Sequence, residues 1–309
     1  MPELPDIPLE AWEPTRNTLH LWCQIVGKVK LATSHPLNHW WHVPLYVDVR
    51  GLTTRRLVHD DVAFRIDFDF VSHALRVSSD RGDEREFALQ DGLSVAEFDR
   101  RLHASLAELG ADVELLERPF GTPISEIPFA EDEEHASYDP AFAERFWRVL
   151  EWTDDVFAEY SGWFCGKQSP VNLFWHSLDL AVTRFSGARV ETGGPAESVE
   201  HEAYSHEVIS FGFWPGDANV RYPAFYSYTA PEPESLTQAA LHPDGAYWQE
   251  AGNGHLALLP YDVVRRANDP RATLLSFLES AYQAGARAAG WDRDGLMSSW
   301  CPTPAQPDR

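Results

Sequence analysis

Between Phe64 and Phe70 apolar and charged residues alternate without a break: Phe64, Ile66, Phe68 and Phe70 are interleaved with Arg65, Asp67 and Asp69. Successive side chains of a strand point to opposite faces, so this period of two predicts a half-buried strand. Leu75 and Val77 follow a turn near Ser72, and Phe87 and Leu89 follow a second turn at SSDRGDE. The pattern is that of an antiparallel meander, which Trp41 to Arg50, also alternating, would open.

Helical signals flank the meander. From Leu9 to Leu31, the residues Leu19, Trp22, Ile25, Val26 and Val29 recur at helical spacing, and Arg16, His20, Gln24 and Lys28 form an opposite stripe, each four residues apart. Ser94 followed by Glu97 is a capping box for a helix that Gly110 ends. Residues 118–138, with three prolines and the acidic run EDEE, read as an irregular connector between halves at 1–117 and 139–309. In the second half Asp139 and Pro140 open a helix, and strands are expected at 173–183, 204–213, 225–229 and 255–259. Asp269 and Pro270 start a last helix ending near Gly290. The fold class is α+β, antiparallel sheets with helices. Echoes at Gly27-Lys28 and Gly166-Lys167, and at Trp41-His42 and Trp175-His176, raise the reading of two related helix, four strands, helix halves, with chance as its rival.

Net charge of −23 opposes nucleic acid and anionic membrane as partners, since both are bound by cations that neutralise phosphates. An anionic ligand would need a local positive site against this field. Of the 25 basic residues only Lys28, Lys30 and Lys167 are lysines, which suggests positions where an arginine would not serve. No run approaches the roughly 20 apolar residues of a membrane span and the N-terminus does not read as a signal peptide, so the chain is expected to be cytoplasmic. Cys23, Cys165 and Cys301 are too few and too scattered for a disulfide framework.

The stripe His20, Gln24, Lys28 is a candidate anion site, with Lys28 supplying charge and the others orienting hydrogen bonds; its alternative is a helix edge in water. Lys167 with Ser169, between a helix and a strand, is a second candidate. Asp179 and Arg184 on the following strand read either as ligand contacts or as structural ion pairs, and Trp214 as a pocket wall or core. His206 and Glu207 are the candidate proton-transfer pair. Phosphate-cradling glycine loops and the GxSxG elbow are absent, so no cofactor is expected.

The segments HLWCQIVGKVKL, NHWWHVPLYVDVRGLTT, GKQSPVNLFWHSLDLAVTRFSG, AYSHEVISFGFWPG and PAFYSYTAPEP together resemble an uncharacterised bacterial family of unknown function over almost the whole chain. The resemblance implies no activity. In that family's pattern a His often stands at the place of Asn172 and a small residue at that of His176, which argues against an essential role for His176. The leading expectation is a small-ligand-binding protein, an enzyme acting on a small anionic compound between the two halves. The alternatives are a non-catalytic binding or interaction module, and a metal-dependent hydrolase built from His39, His42, His206 and carboxylates. Oligomeric state is not readable from these signals.

His and carboxylate spacing offers no compact local ligand set, so no stoichiometric transition metal is expected. Elemental analysis of gently purified protein should find well under one equivalent of zinc; one equivalent would favour the hydrolase.

Overall fold

The structure, a computed structural model, describes residues 3–191 and 198–301. The fold is α+β, with helices and two antiparallel sheets. The chain divides into two compact units, one of Met1–Trp152, Asn172–Leu180 and Trp214–Pro223, the other of Thr153–Val171, Ala181–Phe213 and Ala224–Arg309. Residues 118–138 lie inside unit 1, and chain continuity passes between units several times.

In unit 1, α1 (Leu9–Thr33) is followed by β1 (Tyr46–Asp48), β2 (Gly51–Thr53), β3 (Leu57–His59), β4 (Val62–Asp69), β5 (Ala74–Ser79) and β6 (Glu84–Ala88), then α2 (Val95–Glu108). The sheet order is β1-β2-β4-β5-β6, with β3 also on β4. Register places Ile66 opposite Val77 and Phe68 opposite Leu75, so the apolar residues share one face as their alternation requires. That face meets α2 through Phe98, which stacks on Phe68 at 6.1 Å and on Trp22 of α1 at 5.0 Å, with Phe87 edge-on at 5.4 Å. Ser94 Oγ accepts from Glu97 N at 3.1 Å, half of the expected capping box. The Glu97 carboxylate turns instead to Arg100 and Arg101, both at 2.6 Å.

Two strand readings in this unit need correction. The expected strand from Trp41 to Arg50 is reduced to Tyr46–Asp48, because His39 and Trp40 take left-handed backbone and the Val43 carbonyl accepts from Trp175 Nε1 at 3.0 Å. The expected strand from Leu173 is interrupted after β7 (Asn172–Phe174) by a turn in which Leu178 has φ 55°. Leu173 exchanges backbone hydrogen bonds of 2.9 Å with Leu45.

Helix α3 (Pro140–Ser161) begins in unit 1, where Phe146 packs on Trp12, and ends in unit 2. Unit 2 holds most of β8 (Asp179–Arg189), α4 (Val199–Ala203), β9 (His206–Trp214), β10 (Ala224–Ala230), β11 (Tyr247–Ala251), β12 (Gly254–Pro260), α5 (Tyr261–Arg265), α6 (Pro270–Ala288) and α7 (Arg293–Leu296). Its strands run in the order β11-β12-β10-β9-β8, so β12 passes between β10 and the edge strand β11. Periodicity does not reveal β11, whose residues are exposed or half-buried throughout. Asp269 caps α6 by accepting from Ala272 N at 3.0 Å, with Pro270 in the first turn as expected. The Gly-Lys echoes occupy unlike places: Gly27-Lys28 lies within α1, Gly166-Lys167 in the loop after α3. Among the described residues no helix is long and apolar enough to cross a membrane.

Gly27 sits under the Trp175 indole, and a Cβ there would lie 2.2 Å from Trp175 Cγ. Helix propensity favours alanine over glycine by about 1 kcal/mol. Overpacking a fitted core costs roughly 1–3 kcal/mol, and the whole ring would have to move. Gly27→Ala should therefore lower the melting temperature, measured by scanning calorimetry, despite the better helix former.

Candidate functional site

Helix α1 is buried almost all round, and its polar stripe is buried with it. Arg16, His20, Gln24 and Lys28 are 6, 3, 0 and 6% exposed, which corrects the reading of a helix edge in water. Burial requires partners, and the connector and the turn after β7 supply most of them. Gln24 Nε2 donates to Phe120 O at 3.0 Å and reaches His176 O at 3.4 Å, while Phe120 N donates to Gln24 Oε1 at 2.8 Å. The Gln24 amide is thereby committed to backbone.

His20 Nε2 donates to the same His176 carbonyl at 3.1 Å, which makes Nε2 the protonated nitrogen. Its Nδ1 is sealed from solvent without a hydrogen bond. Burial first, and Arg16 second, hold His20 down at about 3, so the ring is neutral. Lys28 has neither a hydrogen bond nor an ion pair among the described residues; its ammonium lies 5.9 Å from the Phe129 ring, and burial lowers its proton affinity.

A denser basic cluster lies around Tyr46, also in unit 1. Lys30, 5% exposed, donates from Nζ to Thr54 O at 2.9 Å and sits 4.2 Å from the Tyr46 ring centroid. The Arg55 guanidinium carbon is 3.5 Å from that centroid. Burial, then the Arg55 charge, push Lys30 down to about 7. His42 accepts from Leu37 N at 3.1 Å through Nδ1, which leaves Nε2–H as its donor; burial first, and Lys30 among the further causes, lowers its proton affinity. No carboxylate forms an ion pair with Lys30, Arg55, Arg56 or His42 among the described residues.

Backbone strain collects at this cluster. Six non-glycine residues have positive φ among the described residues, and three of them, His39 (56°), Trp40 (60°) and Arg55 (58°), belong to the two turns that build it. Arg55 is held in this conformation at both ends: its N–H donates to Thr53 Oγ1 at 3.0 Å and its carbonyl accepts from Thr54 Oγ1 at 2.8 Å. Trp40 stacks on His42 at 5.4 Å. Left-handed backbone costs an L-residue roughly 1–2 kcal/mol, and strain of this kind gathers where function needs a set geometry.

The other sequence candidates are dispersed. Asp179 in unit 1 accepts from Ser177 Oγ, and Trp214 lies half-buried at the end of β9. In unit 2, Ser169 is tied to Thr183, Ser169 N to the carbonyl and Thr183 N to the hydroxyl, at 2.8 and 2.9 Å. Arg184, 2% exposed, donates to Tyr160 OH at 2.9 Å and to Tyr160 O at 2.6 Å; the rings of Phe164, Phe211 and Tyr282 surround it. His206 and Glu207 do not form a pair. As neighbours on β9 they face opposite ways, His206 Nδ1 toward Ser205 Oγ at 3.1 Å and Glu207 toward Ser186 Oγ at 2.8 Å. His206 shares its surroundings with Lys167, Arg189 and Glu202. Cys23 is buried. Among the described residues no group of three or more His, Cys, Asp or Glu is arranged to hold a metal ion.

Sequence reasoning missed Arg55 and Tyr46, and it gave His42 a functional part only within a metal motif. The scarcity of lysine did mark Lys30 as unusual.

A neutral, buried His20 couples stability to pH. Its folded proton affinity is depressed, so its contribution is complete above the unfolded value of about 6.5 and is lost as pH falls from there toward 3. His20→Gln retains a donor for the His176 carbonyl but does not titrate. Urea unfolding at steps between pH 7 and 4 should show the acid limb shallower in His20→Gln than in the wild type, by up to about 1.4 kcal/mol per pH unit.

No curated protein and no solved structure matches the chain. A family model does, over residues 4–298. The chain therefore belongs to a family of unknown function, DUF5996.

Proposed function

We propose that unit 1 binds a small anionic compound at the basic cluster of Lys30, Arg55 and His42 around Tyr46. One observation carries the reading: among the described residues neither Lys30 nor Arg55 has a carboxylate partner, in a chain of net charge −23, and His42, whose proton affinity burial lowers, adds a donor beside them. Elsewhere acids answer the arginines closely, as Asp69 does Arg50 at 2.7 Å and Glu108 does Arg85 at 2.6 Å. Gathering like charges without a carboxylate is unfavourable, and loss of the Lys30 proton or a bound anion relieves it. Lys30 Nζ at 4.2 Å and Arg55 Cζ at 3.5 Å from one ring centroid keep the two cations on the same tyrosine. Strain in Arg55 supports the same reading, because its backbone conformation aims the guanidinium.

Lys28 supports a second reading, with the anion on the other side of α1, since its ammonium also has no ion pair among the described residues. The two sites separate by mutation. Isothermal titration with inorganic phosphate at low salt should show Arg55→Gln weakening binding by roughly ten- to a hundredfold, the loss of about 1.5–3 kcal/mol for a hydrogen bond to a charged group. The Arg55 side chain is exposed, so the melting temperature without phosphate should hold. Lys28→Met should leave affinity unchanged. Affinity lost in Lys28→Met and kept in Arg55→Gln would move the site to Lys28.

A further inference from the structure

We propose that Lys30 is an imine-forming amine, which takes a small carbonyl compound whose carboxylate or phosphate rests on Arg55. The inference rests on the anion-binding reading and adds a covalent step to it. Lys30 Nζ makes one hydrogen bond, to Thr54 O, and meets the Tyr46 face; no acid among the described residues is placed to hold a proton on it. The groups that face it are the Arg55 guanidinium from the turn after β2, His42 from the turn before β1, and Tyr46 from β1 itself. Two of these are basic, and their charge or proton competes with an ammonium. Burial adds to the same effect, so an appreciable share of Lys30 is the free amine at neutral pH, as a nucleophilic lysine requires.

Lys28 and Lys167 differ from it. Lys28 has no neighbouring cation among the causes that lower it, and Lys167 is exposed, with Glu202 favouring its charged form. The step balances without a further reagent. The Nζ lone pair attacks the carbonyl carbon to form the C–N bond, and the amine's two protons leave with the carbonyl oxygen as water. No oxidation state changes. The anionic arm would place the carbonyl beside Lys30 by pairing with Arg55, and because Lys30 is 5% exposed the probes are the smallest carbonyl compounds that carry such an arm.

The test is reductive trapping on the whole protein. Glyoxylate, glycolaldehyde phosphate and uncharged acetaldehyde are each incubated with sodium cyanoborohydride, and peptide mapping by mass spectrometry locates the adducts, so no variant has to fold. The expected result is a first adduct on Lys30, formed at least tenfold faster with an anionic probe than with acetaldehyde. Its rate should level off above about pH 7, whereas an ordinary lysine goes on gaining reactivity toward pH 10. Faster trapping with glyoxylate assigns the arm as a carboxylate, faster trapping with glycolaldehyde phosphate as a phosphate. Adducts that favour Lys28, Lys167 or the N-terminus, or that form on Lys30 equally well with acetaldehyde, would overturn the inference. If phosphate titration still shows Arg55-dependent binding, only the imine step falls; if that binding is absent, the anion site falls as well.

Discussion

Unit 1 depends on the burial of a helix that is polar on one side. Nearly every residue of α1 from Thr15 to Lys30 is out of solvent, although Arg16, His20, Gln24, Lys28 and Lys30 are among them. An unpaired buried polar group costs roughly 1–3 kcal/mol, so the chain around the helix has to bring partners to it. It does so with backbone. The Phe120 peptide of the connector and the His176 carbonyl of the turn after β7 converge on Gln24 and His20, and the Thr54 carbonyl reaches Lys30. Irregular segments that look like linkers thereby supply hydrogen-bond partners to the buried helix, and Trp175 closes over Gly27 where no side chain stands in its way.

Backbone carbonyls can accept hydrogen bonds from buried cations but cannot neutralise them. Among the described residues no carboxylate forms an ion pair with Lys28 or Lys30, and burial lowers the proton affinity of both. Lys30 is held down to about 7 by burial first and by the Arg55 charge second. The two lysines, two residues apart on one helix, thus differ through what the sheet and its turns bring to each face.

Arg184 in unit 2 is a contrasting case. It is as deeply buried, yet Tyr160 accepts from it through both hydroxyl and carbonyl, and four aromatic rings stand around the guanidinium. Such a group is settled by hydrogen bonds and ring faces, and it reads as architecture. His206 and Glu207 were attractive as adjacent acid and base, but adjacency on a strand is what separates them.

Local patterns in the sequence settled a good deal. Alternation at Phe64–Phe70 determined which face of β4 enters the core, Ser94 and Asp269 determined where α2 and α6 begin, and the α+β class followed from those signals together. These features are legible because their causes lie within a few residues: a period of two, a hydroxyl beside its own amide, a proline that fits only a first turn. The depth of α1 was not legible, since a polar stripe four residues apart looks the same in water as under a connector. Nor was the company of Lys30. Tyr46 and Arg55 lie 16 and 25 positions further on, and they meet the lysine only because the left-handed turns and the β1-β2 register bring them there. Which charges are answered by a carboxylate is a property of neighbours in space, and for that reason the tertiary structure alone decided which buried cations stand without one among the described residues.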